Sequence, residues 1–230
     1  MIFESHAHYD DEAFDEDREE LLNSMRENGI EYVVNVCAAA DGLEKTLELT
    51  EKYPFVYGAV GVHPDDAGKM NEEILQRIQE YCRLDKVVAV GEIGLDYYWD
   101  KESHEIQKKW FEAQMEVARS ERLPFIIHSR EAAQDTLTMM KGLRAAEMSG
   151  GVIHCFSYSK EMAKEYLDMG LYIGIGGVVT FKNAKKLKEV AEYAPLEQIL
   201  LETDCPYLAP VPHRGKRNTS LNLPYVAEEI

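Results

Sequence analysis

Short apolar runs alternate with longer amphipathic stretches along the whole chain. The apolar runs lie near residues 2–6, 30–37, 55–61, 86–92, 124–128, 151–154, 171–175 and 198–203, and read as strands. Between them, apolar residues at helical spacing predict helices near 12–28, 41–52, 71–82, 103–121, 130–146, 159–169 and 183–193, with an eighth beginning after Pro224. Asn71 before Glu72-Glu73 and Ser159 before Lys160-Glu161 are start signals, and Gly29 and Gly170 are stop signals. Eight strands alternating with helices imply parallel pairing through right-handed crossovers. A closed TIM (β/α)8 barrel, spanning residues 1–230 as one domain, accounts for the count. A doubly wound open sheet competes with it, but no G-x-G-x-x-G follows the first strand. Only Leu223 to Ile230 remain for the last helix, so it is shortened, and barrel closure is expected to be weakest there.

Composition narrows the setting. Hydrophobic residues make up 45% and charged residues 29%, which is ordinary for a globular enzyme. The four cysteines, Cys37, Cys82, Cys155 and Cys205, form no C-x-x-C and suit a reducing cytoplasm. No apolar run reaches the roughly 20 residues that cross a bilayer, and the acidic N-terminus lacks a signal peptide's basic region. A net charge of −17 repels nucleic acid and membrane surfaces, so a polyanionic substrate needs local basic residues or bound cations.

Chemistry concentrates where such a barrel builds its active site, at the C-terminal strand ends. In order, those ends carry His6 and His8, then His63, Glu92, His128, His154 and Asp204. Five of the seven histidines stand there; only His104 and His213 do not. One buried histidine is ordinarily a hydrogen-bonded core residue, but five on one rim predict a metal site. Alternation puts His6 and His8 on one face. It also predicts shared faces for Val88, Val90 and Glu92, for Ile126 and His128, for Val152 and His154, and for Leu200, Glu202 and Asp204. Cys155 and Cys205 are expected to point the other way as small packing residues.

Ser5-His6-Ala7-His8, Gly61-Val62-His63-Pro64, Gly91-Glu92-Ile93-Gly94-Leu95-Asp96-Tyr97, Ile127-His128-Ser129-Arg130, His154-Cys155-Phe156-Ser157 and Glu202-Thr203-Asp204-Cys205-Pro206-Tyr207-Leu208 come in an order that resembles the TatD-like metal-dependent deoxyribonuclease family. The resemblance implies a distorted amidohydrolase-type barrel that hydrolyses DNA phosphodiester bonds, often from the 3′ end. It implies that His6 and His8 hold one divalent metal, that His128 and His154 hold a second, and that Glu92 bridges them. Asp204 would touch the first metal and accept a proton from water, which makes Glu92 and Asp204 the expected catalytic residues. Glu4 stands where such proteins usually have aspartate; sharing the histidine face, it is expected to orient an imidazole, and Glu202 is a similar candidate.

Two cations about 3.5–4 Å apart would neutralise a phosphodiester and acidify a water. Four histidines suit Zn²⁺ or Mn²⁺, whereas phosphate chemistry often uses Mg²⁺. Phosphate contacts are expected from His63 and Arg130. Others are expected from the loops after the last two strands, where Lys182, Arg214 and Arg217 match family positions. Tyr97 and Phe181 are candidates to stack on a terminal base. DNA, as single strands or 3′ ends, is the expected partner, with no membrane and no obligate protein partner. The rival is a hydrolase of another ester, amide or phosphotriester. Such sites commonly bridge metals with a carboxylated lysine, and Glu92 and His128 occupy the strand ends where it would stand.

Overall fold

The computed structural model describes residues 1–99 and 102–230. Eight strands follow chain order around one sheet, every neighbouring pair parallel. They are β1 (Ile2–Ala7), β2 (Ile30–Val36), β3 (Val56–Val60), β4 (Val87–Asp96), β5 (Phe125–Arg130), β6 (Gly151–Ile153), β7 (Tyr172–Ile175) and β8 (Ile199–Leu201). The helices are α1 (Arg18–Ser24), α2 (Leu43–Lys52), α3 (Glu72–Tyr81), α4 (His104–Glu121), α5 (Ala133–Gly142), α6 (Lys160–Asp168), α7 (Lys185–Tyr193) and α8 (Leu223–Glu229). This is the (β/α)8 barrel that the alternating pattern predicts, with α8 reduced to seven residues.

Val34, Val36, Ala59, Ala89, Ile126 and Val152 pack inside the barrel, where inward side chains share one narrow space. Val60, Val90, Ile93, Leu95, Phe125 and Ile127 face outward and meet Trp110, Phe111 and Met115 of α4. The start signals work as capping predicts: Asn71 accepts from the Ile74 amide at 3.0 Å and Ser159 from the Met162 amide at 3.4 Å. Gly29 and Gly170 leave their helices with φ of 81° and 77°, a left-handed conformation that costs glycine little.

The first helix departs from expectation. Instead of one helix over 12–28, the chain makes a 3-10 turn at Glu12–Phe14, then α1, then a second turn at Arg26–Asn28. Polar side chains compete for its backbone. Asp11 accepts from the Ala13 amide at 2.7 Å, and Arg18 donates to the carbonyls of Tyr9 and Asp11. The fifth helix is also shorter than 130–146, because Arg130 ends β5 and both Glu131 and Arg144 take φ of 54°.

β4 corrects the predicted face pattern. It carries an extra residue against each neighbour: Val87 and Ala89 face Gly58 and Ala59 of β3, and Val90 and Ile93 face Phe125 and Ile127 of β5. Each slip inverts the alternation. Val90 therefore packs outward against the helices and does not share the face of Glu92.

The seam between β1 and β8 is held despite the short α8. One bridge pairs Ala7 with Cys205. Around it, the His8 amide donates to the Cys205 carbonyl at 2.9 Å and the Asp204 amide to the His6 carbonyl at 3.0 Å. The Ser5 hydroxyl donates to the Leu201 carbonyl at 2.9 Å.

Candidate metal centre

Closure brings the ends of β1 and β8 together at the barrel mouth. His6 and His8, at the end of β1, bring their Nε2 atoms to 3.2 Å. Glu92, 3% exposed, stands between this pair and the ends of β5 and β6. Its Oε2 lies 3.4 Å from His6 Nε2 and 3.7 Å from His8 Nε2. Its Oε1 lies 2.7 Å from both His128 Nδ1 and His154 Nε2. One carboxylate thus presents each oxygen to a different pair of imidazoles. Asp204 adds Oδ1 to the first side, 3.2 Å from His8 Nε2 and 3.8 Å from His6 Nε2. The six residues that the resemblance implies as ligands converge. Asp204 sits at φ 57°, in a left-handed region that aspartate tolerates better than most residues.

Hydrogen bonds preset the imidazole tautomers. His8 Nδ1 donates to the Val36 carbonyl at 2.7 Å, so once the ring gives up its second proton Nε2 is the lone pair. His128 Nε2 donates to Asp96 Oδ2 at 3.0 Å, so in the neutral ring, the form a cation would bind, Nδ1 is the lone pair. His63 is wired the opposite way: its Nδ1 accepts from the Asp65 amide at 3.1 Å, so the neutral ring carries its proton on Nε2. That N–H lies 3.6 Å from Glu92 Oε1. In that tautomer His63 is a donor at the centre, although with Glu92 and His128 it also forms one of the clusters whose atoms lie close enough to hold an ion.

This donor set fits divalent cations. The facing ring nitrogens, at 3.2 Å in His6–His8 and 3.3 Å in His128–His154, cannot both carry protons. Their lone pairs converge with carboxylate oxygens, a mixed nitrogen and oxygen set suited to Zn²⁺, Mn²⁺ or Mg²⁺. Burial opposes charge on Glu92, yet His154 and His63, with hydrogen bonds from His128 and His154, hold its carboxyl well below the usual range. Burial also opposes a proton on His8, but Asp204 and Glu92 outweigh it and lift the ring to about 9. Burial and His154 push His6 down. A proton lodged between His8 and Asp204 is what a cation would displace.

Glu4 is a correction. It does not orient an imidazole; its carboxylate accepts from the amide and hydroxyl of Thr203. Glu202 stands nearest that role, but its Oε1 is 3.7 Å from His154 Nδ1, beyond hydrogen-bond reach, and accepts from the Cys155 amide at 2.5 Å. Asp96 is a functional residue that strand alternation does not single out, although it stands in the same signature as Glu92. Cys205 packs away from the centre, whereas Cys155 lines a cavity of about 460 Å³ between the β6 and β7 loops.

The expected phosphate contacts divide. Arg130 ends β5, two residues beyond His128, and its guanidinium lies over Tyr98 at 3.9 Å. Lys182 is exposed, and Arg214 lies over the Phe181 ring at 4.3 Å. Arg217 is engaged elsewhere, donating to both Asp17 oxygens and to the Ala13 carbonyl. Tyr97 is engaged too, its ring stacked on His104 at 3.5 Å and its hydroxyl donating to Asp135 at 2.8 Å.

A family model described as TatD related DNase matches residues 3–230. A Bacillus subtilis (strain 168) protein, named uncharacterized metal-dependent hydrolase YabD, is 46% identical over 230 residues, covering 100% of this chain and 90% of its own. An Escherichia coli (strain K12) protein, named uncharacterized metal-dependent hydrolase YcfH, is 36% identical over 234 residues, covering 99% and 86%. Among solved structures, YjjV, a TatD homologue from Escherichia coli K12, superposes with a TM-score of 0.92 at 31% identity, covering 99% of this chain and 88% of that one.

Proposed function

The chain belongs to the TatD-related DNase family of metal-dependent hydrolases, and from that premise we propose that it hydrolyses DNA phosphodiester bonds from the 3′ end with two divalent cations. The observation that carries this reading is the division of Glu92, one oxygen toward His6 and His8 and the other toward His128 and His154. Mg²⁺, Mn²⁺ or Zn²⁺ bound on both sides would neutralise a phosphate and lower the pKa of a water. Asp204 takes the proton from that water: its side chain is 16% exposed against 4% for Glu92, so it is the carboxylate that solvent reaches. The His63 Nε2–H donates to a phosphate oxygen, and Arg130, Lys182 and Arg214 supply positive charge against the acidic surface. No covalent nucleophile is needed. Residues 1–230 act as one domain, and the four free cysteines support a cytoplasmic setting.

The test starts from ion-stripped protein resupplied with Mg²⁺, Mn²⁺ or Zn²⁺. Single-stranded DNA labelled at either end, RNA, a phosphotriester and a dipeptide are then offered. A ladder shortening from the 3′ end of DNA is expected. Turnover of the phosphotriester or dipeptide with DNA left intact would overturn the reading.

A further inference from the structure

Each imidazole of the centre needs a group behind it. A ring that offers one nitrogen to a cation carries its proton on the other, and where water cannot reach, that N–H needs an acceptor. His8 has the Val36 carbonyl and His128 has Asp96. Asp96 has no oxygen to spare, because its Oδ1 accepts from the amides of Tyr98 and Trp99 at 2.9 and 3.1 Å. His6 and His154 differ. Both turn Nε2 toward Glu92, His6 at 3.4 Å and His154 at 2.7 Å, and both have a buried Nδ1 without a hydrogen-bond partner. Their rings are stacked, with centroids 3.9 Å apart and planes at 10°, although each belongs to a different side of the centre.

Glu202, one residue past β8, is fully buried beside this stack. Its Oε1 accepts from the Cys155 amide, and its Oε2 has no hydrogen-bond partner. One ligand atom each of His6, His154 and Glu202 lies within 4.8 Å of the others. β7 leaves room for the carboxylate, since a Cβ on Gly174 would stand 2.2 Å from Oε2. A carboxylate taken out of water with one oxygen unpaired is costly, and so is an unpaired N–H. Here two donors without an acceptor and one acceptor without a donor share a single dry space. A neutral ring has one lone pair, which Nε2 gives to the centre, so these atoms do not form a third cation site.

We propose that in the ion-loaded centre Glu202 is a positioning residue shared by both sides, accepting from Nδ1–H of His6 and of His154 together and holding both Nε2 lone pairs toward the cations. This rests on the two-cation reading of the centre and not on which bond is cleaved. The stacked pair then lies between two carboxylates, Glu92 at the Nε2 atoms and Glu202 at the Nδ1 atoms. Asp96 serves one cation. Glu202 serves both.

Glu202→Gln keeps the size of the side chain and an oxygen for the Cys155 amide, but it sets an NH₂ group against the two N–H donors. Zn²⁺ titrated against a chelator should therefore bind about 10–100-fold more weakly on both sides. A role limited to packing would spare this variant. Gly174→Ala carries the same prediction by a different route: its backbone needs no positive φ, and the added methyl pushes the carboxylate aside without changing its charge. In Zn²⁺-loaded wild type, nitrogen chemical shifts should place a proton on Nδ1 of both His6 and His154, and both signals should move in each variant. Wild-type affinity on both sides in Glu202→Gln, or a loss confined to the His154 side with the His6 signal unmoved, would overturn the shared acceptor while the two-cation reading stands. Wild-type protein that binds a single Zn²⁺ would overturn that reading and the shared acceptor with it.

Discussion

Glu4 and Thr203, 199 residues apart, are joined by two hydrogen bonds, the Thr203 amide reaching Oε1 at 2.9 Å and its hydroxyl reaching Oε2 at 2.6 Å. The carboxyl is fully buried and also accepts from the His6 amide at 3.2 Å. The barrel seam therefore contains a titratable group. Burial raises Glu4 from 4.5 to about 7, against the hydrogen bond from Thr203, which lowers it.

That shift gives stability a definite sign. The folded chain holds the Glu4 proton where the unfolded chain has lost it, so this contribution is complete below 4.5 and disappears as pH rises through about 7. Glu4→Gln keeps an acceptor for the amides and removes the titration. In ion-free protein, the stability of the variant relative to wild type should climb across that window by up to about 3 kcal/mol. Urea unfolding at several pH values measures it; a difference that does not vary with pH would refute the assignment.

Glu92→Gln and Asp204→Asn should each abolish most turnover while circular dichroism stays unchanged. Asparagine keeps the tolerance for φ 57° at position 204, so the fold is spared and the base is lost. Loss of a general base predicts a fall in kcat of about 10²–10⁴-fold for Asp204→Asn. A rate within a fewfold of wild type would remove Asp204 from the mechanism.

Cation binding should release protons. His8 keeps its proton up to about pH 9 in the ion-free protein, so a cation entering at neutral pH displaces it, and affinity falls as pH falls. Calorimetry in buffers of different ionisation enthalpy should give different heats; identical heats would contradict the displaced proton. Saturating ion should also raise the thermal midpoint, by about 2.7 kcal/mol of stability at a hundredfold excess over Kd.

Asp96→Ala should weaken binding on the His128–His154 side about 10–100-fold and leave the His6–His8 side loaded. The nitrogen chemical shifts of His128 provide a second readout, because the ring loses the acceptor that keeps its proton on Nε2. Unchanged affinity together with an unchanged tautomer would show that Asp96 only anchors the following loop.

Ligand positions are legible in this sequence because strand alternation is local: His6 and His8 share a face whatever surrounds them. The rule fails at Val90, where pairing with β3 and β5 inserts extra residues that no window of β4 reveals. Glu4 is read with the wrong partner, since a register shift between Glu4 and Ala7 interrupts the alternation of β1 and Thr203 reaches the carboxylate only through closure. Asp96 meets His128 across a strand pair, and the tautomers of His8 and His63 depend on the Val36 carbonyl and the Asp65 amide. Backbone groups leave no mark in a side-chain pattern.

The seam between β1 and β8 also sets a timetable. Glu92, His128 and His154 are all present once synthesis has passed residue 154, but His8 must wait for Asp204, 196 residues behind it on the growing chain. One half of the centre can mature early, while the other forms only when the last strand meets the first. Such a long-range closure comes late in folding. On the proposed reading, the carboxylate that takes the proton from water is therefore the last part of the centre to be synthesised and to reach its place.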